Sequence, residues 1–319
     1  PLGGPLLSSL RSLLASASST HLFNQRSSLD CMPVAPSLLA LKESDGWSWR
    51  AAITALLAFS AIWTPYRMLS GVVVSKLSYH ALMCIDALAK PLVTLAVIAL
   101  SARLFKLGSL RDTLAKIGVK LKAIPSGVAI GFAAHLLYNT IATAIKLATC
   151  WNMCIRLEFS ISHYNLLNVA YMLAVVGFFE ELLDRGFIQT NIAVSARRKA
   201  GIPGLLLSIV ATGFSFSLLH IPIDVFVRNL PPHAMAAHLS YTFSFSLVVG
   251  ALYFATDLNL IACAVMHGLE NIGYPISVYF GKRLVNPTLA DFLASSIICL
   301  VVLLAAPYFT SKQLQASLD

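Results

Sequence analysis

Eight stretches of this chain read as apolar runs on the scale of a lipid bilayer: Ala51–Thr64, Ala81–Leu104, Ile124–Thr149, Leu166–Ile188, Ile202–Val227, Leu239–Thr256, Leu258–Phe280 and Leu289–Phe309. About 20 apolar residues at helical rise cross the hydrocarbon core. In that medium every backbone N–H and C=O must find its partner inside the protein, which a helix achieves within one segment and an open sheet does not. The expected fold class is therefore all-α, a polytopic membrane helix bundle of about eight transmembrane helices. The first run has the least margin. Its 14 residues are closed by Pro65, so it spans only if its helix starts near Trp47 or continues through the proline.

Charge agrees with this. Only 12% of the 319 residues are charged and 57% are of the AVILMFWYC type. A soluble domain carries about 25% charged residues, so this chain lacks the means to cover an aqueous surface. A net charge of +9 would on a soluble protein suggest nucleic acid. Here the bases sort by membrane side instead, and no nucleic-acid partner is expected. With eight spans both termini share a side with Arg103, Lys106, Arg111, Lys116, Lys120 and Lys122, and that side holds 14 of the 23 Lys+Arg against seven opposite. The bias places it in the cytosol or its organellar equivalent.

Residues 1–46 read as a flexible N-terminal segment and 47–312 as the transmembrane domain. The first 29 residues hold no acid, eight serines and two arginines, a composition that suits an organellar transit segment as well as a disordered tail. The expected location is a multi-pass position in an endomembrane or an organellar, plastid-type membrane. Cys84, Cys263 and Cys299 lie in apolar runs, where a free thiol acts as a small hydrophobe. Cys150 and Cys154, four apart in a loop, are the ones spaced to pair or bind metal.

The 14 carboxylates are informative by position. Glu180, Glu181, Asp184 and Glu270 fall inside apolar runs. A charge near the bilayer centre costs about 2.5–3.5 kcal/mol even on the lenient scale, so several together point to intramembrane chemistry or transport. On a helix Glu181 and Arg185 share a face, and Glu180 lies about 100° round from Glu181. The pair is either a packing ion pair or the support of a site. His220 lies late in the fifth run, and a single histidine in an apolar helix is commonly a packing residue. His267 and Asn271 are four apart and point one way. His135 and Asn139 repeat that spacing in the third run with no acid nearby in the sequence, so spacing alone decides nothing.

The ordered set on three runs resembles the CPBP intramembrane endopeptidases, the group containing the type II CAAX prenyl proteases and bacteriocin-processing proteins. Their motifs EExxxR, FxxxH and HxxxN/D are matched by Glu180-Glu181-x-x-x-Arg185, Phe216-x-x-x-His220 and His267-x-x-x-Asn271, within residues 166–280. The resemblance implies an intramembrane endopeptidase with Glu180 as general base, His220 as its partner in activating water, and His267 and Asn271 as oxyanion donors. Glu181 and Arg185 become the supporting pair. No Ser, Cys or Thr nucleophile is set beside these groups by a recognisable motif, so direct attack by water is expected.

No cofactor is expected. Zinc is the alternative, because two histidines and two glutamates can ligate it and the family has been called metalloproteases, but HExxH is absent. The partners implied are the lipid bilayer and a membrane-associated protein substrate. The family includes enzymes that remove the last three residues after a prenylated cysteine, and others with no prenyl substrate. Asp184 departs from the family pattern, which usually has an aromatic or apolar residue there, and it brings a like charge close to Glu180. Two other functions stay open. One is a non-catalytic scaffold or regulatory member of the same fold, toward which Asp184 leans. The other is a proton-coupled transporter, which the Asp86 and Lys90 pair beside Pro91 suits.

Overall fold

The computed structural model describes residues 36–39, 41, 46–74, 79–149, 155–161, 165–280, 282–284, 292–294 and 296–301. Cys150, Cys154 and most of the N-terminal segment lie outside them.

The chain opens its membrane part with two long helices, α1 (Trp49–Val74) and α2 (Tyr79–Leu104). Pro65 and Pro91 sit inside them and end neither, as neighbouring helices and side chains allow in membrane proteins. The first run therefore gains its length by both routes open to it: an earlier start and passage through the proline. Its N-terminal end is tied down by two donors, Ser48 N–H to Asn191 Oδ1 at 3.0 Å and Trp49 N–H to Ser195 Oγ at 3.0 Å. The short helix α3 (Leu110–Lys116), capped by Ser109, leads into α4 (Ile124–Thr149).

After α4 comes strand β1 (Ile155–Phe159), then the helix α5 (Leu166–Ala200). Next are α6 (Ile202–Leu218), the short α7 (Ile221–Phe226), α8 (Pro232–Ala255) and α9 (Leu260–Ile272), capped by Asn259. Strands β2 (Ile276–Phe280) and β3 (Arg283–Leu284) complete a three-stranded antiparallel sheet in the order β1-β2-β3, with Ile155 opposite Phe280 and Phe159 opposite Ile276. This small sheet is an addition to the all-α expectation.

Among the described residues, six helical stretches are long and apolar enough to cross a membrane: Trp49–Ser70, Met83–Leu104, Leu110–Thr149, Leu166–Ala200, Pro203–Phe226 and Pro232–Ala255. The protein is a multi-pass membrane helix bundle, in which six of the about eight expected spans reach that length among the described residues. The seventh run fails for a physical reason. Its 13-residue helix α9 rises only about 20 Å and stops at Gly273, whose φ is +100°. Most of α9 is buried in protein, so its apolarity reflects packing against helices and not contact with lipid. Of the eighth run only 292–294 and 296–301 are described.

The distribution of side chains is inverted relative to a soluble protein. Leu57, Leu69, Val72, Leu88 and Leu92 face outward on α1 and α2, while Glu181, Asp184, Arg185, Gln189, Thr190 and Asn191 are buried on α5. Charges held inside a bundle are characteristic of functional positions in membranes. The backbone of α5 is also irregular. Two π-helical stretches, Met172–Gly177 and Leu182–Gln189, flank the single α-helical turn Phe178–Glu181. Insertions of this kind cluster at functional sites because they re-aim the side chains around them.

Two glycines let α5 and α9 meet. A Cβ at Gly177 would lie 2.4 Å from the carbonyl oxygen of Ala264, and one at Gly268 would lie 2.7 Å from that of Met172. Close approach through small residues drives helix pairing where lipid removes the hydrophobic force. Gly268→Val is expected to destabilise the protein by at least about 2 kcal/mol, seen as a lower unfolding temperature in detergent. An unchanged temperature would refute the close-contact account of this helix pair.

Candidate active site

The helix pair α5 and α9 carries the first cluster of site residues. The side chains of Glu181 and Arg185 are fully buried, with Arg185 Nε 3.1 Å from Glu181 Oε2. The second oxygen of Glu181 takes Nδ1 of His267 at 2.7 Å. A carboxylate only accepts, so the proton lies on Nδ1 and the ring is oriented by Glu181. The other nitrogen of that ring, Nε2, lies 3.5 Å from Glu180 Oε2. His267 thus bridges the adjacent glutamates. Arg185 is held further by Ser246 Oγ at 2.8 Å and by the Phe216 ring, 5.3 Å from its guanidinium carbon.

Glu180 faces the other way, into a cavity of about 60 Å³. That is space for a few water molecules, since each needs about 10–15 Å³ measured this way. His220, Asp184, Lys90 and Arg67 share its lining, with apolar walls from Trp63, Phe179, Phe216 and Leu219. His220 lies between α6 and α7, as the N-cap residue of α7, and its Nδ1 lies 2.9 Å from the carbonyl oxygen of Phe216. A carbonyl cannot donate, so Nδ1 carries the proton and Nε2 is the basic nitrogen of the neutral ring. The first and second sequence motifs therefore meet at one cavity, with Phe216 serving both as wall and as anchor of the histidine.

Asn271 stands apart. It is exposed at the end of α9 and is not part of the cavity lining, so the structure does not bring it to Glu180 and His220. Its helical spacing from His267 holds, but His267 turns its nitrogens to the two glutamates. Asp184 is buried, lines the same cavity, and its Oδ1 has no hydrogen-bond partner.

Two sequence readings are corrected by space. Asp86 and Lys90 do not pair. Asp86 accepts from Tyr66, from Tyr171 at 3.0 Å and from Arg67, whose Nη1 is 3.0 Å from Oδ2. Lys90 pairs with Glu180 instead. His135 and Asn139 do have an acid nearby: Glu270 Oε2 receives Asn139 Nδ2 at 2.8 Å and lies 3.2 Å from His135 Nδ1, while Tyr241 donates to Oε1 at 2.5 Å. Glu270 thus belongs to a separate polar cluster away from the cavity. Sequence reading also missed His238, whose ring centroid is 5.5 Å from that of His220 and whose Nδ1 is 2.7 Å from the buried Asp224. His220 and Asp224 are four apart, but no motif spacing connects His238 to either.

Glu180 is paired with Lys90, and Glu181 is shared between Arg185 and His267, so cations already hold the carboxylates. Among the described residues no group of three His, Cys, Asp or Glu side chains is arranged to hold an ion.

Residues 162–273 match the family model of the type II CAAX prenyl endopeptidase Rce1-like proteins, a family of proteases. The matched segment runs through α5 to α9 and contains Glu180, Glu181, Arg185, His220, His267 and Asn271, whereas Lys90 lies outside it. No curated protein matches the chain.

Proposed function

We propose that this chain, whose residues 162–273 match the Rce1-like family model of CAAX-type proteases, is an intramembrane endopeptidase. Its substrate is a membrane-associated, prenylated protein, cut near its C-terminus by water activated between Glu180 and His220. The observation that carries this reading is the shared cavity: a carboxylate and an imidazole on different helices face one water-sized space among membrane spans.

In this mechanism Glu180 removes a proton from water while His220, held by Phe216, accepts from the same water through Nε2. The water oxygen bonds to the peptide carbonyl carbon, the C–N bond breaks, and the proton passes to the leaving nitrogen. Glu181, Arg185 and His267 position Glu180 from behind. The apolar walls keep bulk water out, which strengthens each electrostatic contact inside.

The test uses purified protein in vesicles with a prenylated C-terminal peptide and its unprenylated twin. The prenylated peptide is expected to be cut, and His220→Ala to slow this by about 10²–10⁴-fold. Undiminished cleavage by His220→Ala contradicts the assigned role. The reaction proceeds without a metal on this account, so a strong zinc chelator leaves the rate unchanged. Inhibition that added zinc reverses would transfer the chemistry to a metal.

A further inference from the structure

We propose that Lys90 is a catalytic residue: it occupies Glu180 at rest and passes its ammonium to the substrate carbonyl oxygen as negative charge develops there. This rests on the peptidase reading above.

Three observations lead to it. First, the Lys90 side chain is 3% exposed, lines the cavity, pairs with Glu180 and lies 5.4 Å from the Trp63 ring centroid. Its near neighbour in sequence, Asp86, is already satisfied by Arg67, Tyr66 and Tyr171. Lys90 is thereby left to the base. Second, an oxyanion needs donors within the cavity. Of the residues that the sequence resemblance assigns to this task, Asn271 is exposed and His267 is engaged with Glu181 through Nδ1, its Nε2 lying 3.5 Å from Glu180. Arg185 pairs with Glu181 and Ser246 and does not line the cavity. Arg67 lines the cavity but is bound to Asp86. Among the described cavity residues, Lys90 is the cation whose ion-pair partner is the base itself.

Third, Lys90 holds one oxygen of Glu180, Oε1, and leaves Oε2 able to take a proton from water. Once protonated, Glu180 no longer carries the charge that holds the ammonium. The new C–O bond pushes electrons onto the carbonyl oxygen in the same step, and the ammonium of Lys90 turns to the charge that results.

The experiment compares wild type, Lys90→Met and Lys90→Arg as full chains in vesicles, using the prenylated peptide and a phosphinate peptide that mimics the tetrahedral anion. Lys90→Met is expected to lower kcat about 10²–10³-fold with little change in KM. Phosphinate affinity should fall by a similar factor, and Lys90→Arg should recover at least part of both. A kcat near wild type, or a lowered kcat with unchanged phosphinate affinity, overturns the proposal. Should Lys90→Met fail to fold, phosphinate binding by Glu180→Gln is compared with Glu180→Gln/Lys90→Met, where no carboxylate is left unpaired. Weaker binding by the double variant supports the role of Lys90, and equal binding overturns it. If wild type leaves the peptide intact, the peptidase reading fails and this proposal with it. If wild type cuts and Lys90→Met cuts equally well, only this proposal fails.

Discussion

Glu180→Gln is expected to remain folded in the membrane while losing about 10³-fold or more in kcat on the prenylated peptide. Glutamine keeps the size of the side chain and an oxygen that can accept from Lys90, so the packing around the cavity is preserved. What it removes is the ability to take a proton. His220 remains next to the water but then acts alone. Initial rates with the purified variant in vesicles measure this, with its unfolding temperature as the control. Retention of more than a tenth of wild-type activity would mean that the base is another residue.

Arg185→Met should fail in a different way, through stability. Glu181 and Arg185 are both fully buried, and the substitution leaves the carboxylate with His267 as its remaining polar partner. Breaking a buried ion pair from one side costs about 3–5 kcal/mol, a large share of the stability of a typical protein. The expected result is a steep loss of folded protein in detergent extracts and a much lower unfolding temperature. Glu181→Gln/Arg185→Met removes both charges and should recover a large part of that loss, since replacing a whole buried pair is nearly neutral. An unfolding temperature for Arg185→Met equal to wild type would show that the pair does not hold α5 in place.

The contrast between these two glutamates, one facing the cavity and one buried in an ion pair, was visible in the sequence only in outline. Helical spacing correctly put Glu181 with Arg185, because partners four residues apart on one helix need no tertiary information. Periodicity also separated Glu180 from that face. Which other helix each face meets is a long-range property. Lys90 reaches Glu180 across 90 positions and Asn139 reaches Glu270 across 131. Sequence proximity suggested the wrong partner for Lys90, and it hid the acid beside His135.

The spans show the same boundary. Apolar length revealed α1 once its helix passed through Pro65, and it revealed α2 and α4 directly. It misjudged α9, because a helix buried among other helices is as apolar as one facing lipid. The π-helical turns of α5 leave no mark in composition, yet they surround the turn that presents Glu180 and Glu181. Asn271 shows the limit of motif spacing. It sits one turn from His267 as expected, but the end of α9 leaves it exposed.

The central claim is that Glu180 and His220 direct a water molecule onto a peptide carbonyl inside the membrane. Its most direct test is a single turnover by the purified wild-type protein in vesicles, with excess enzyme, a prenylated C-terminal peptide and H2(18)O. Mass spectrometry of the products is predicted to show cleavage at one bond and one 18O atom in the new carboxylate. An intact peptide, or a cleaved product without the label, would contradict it.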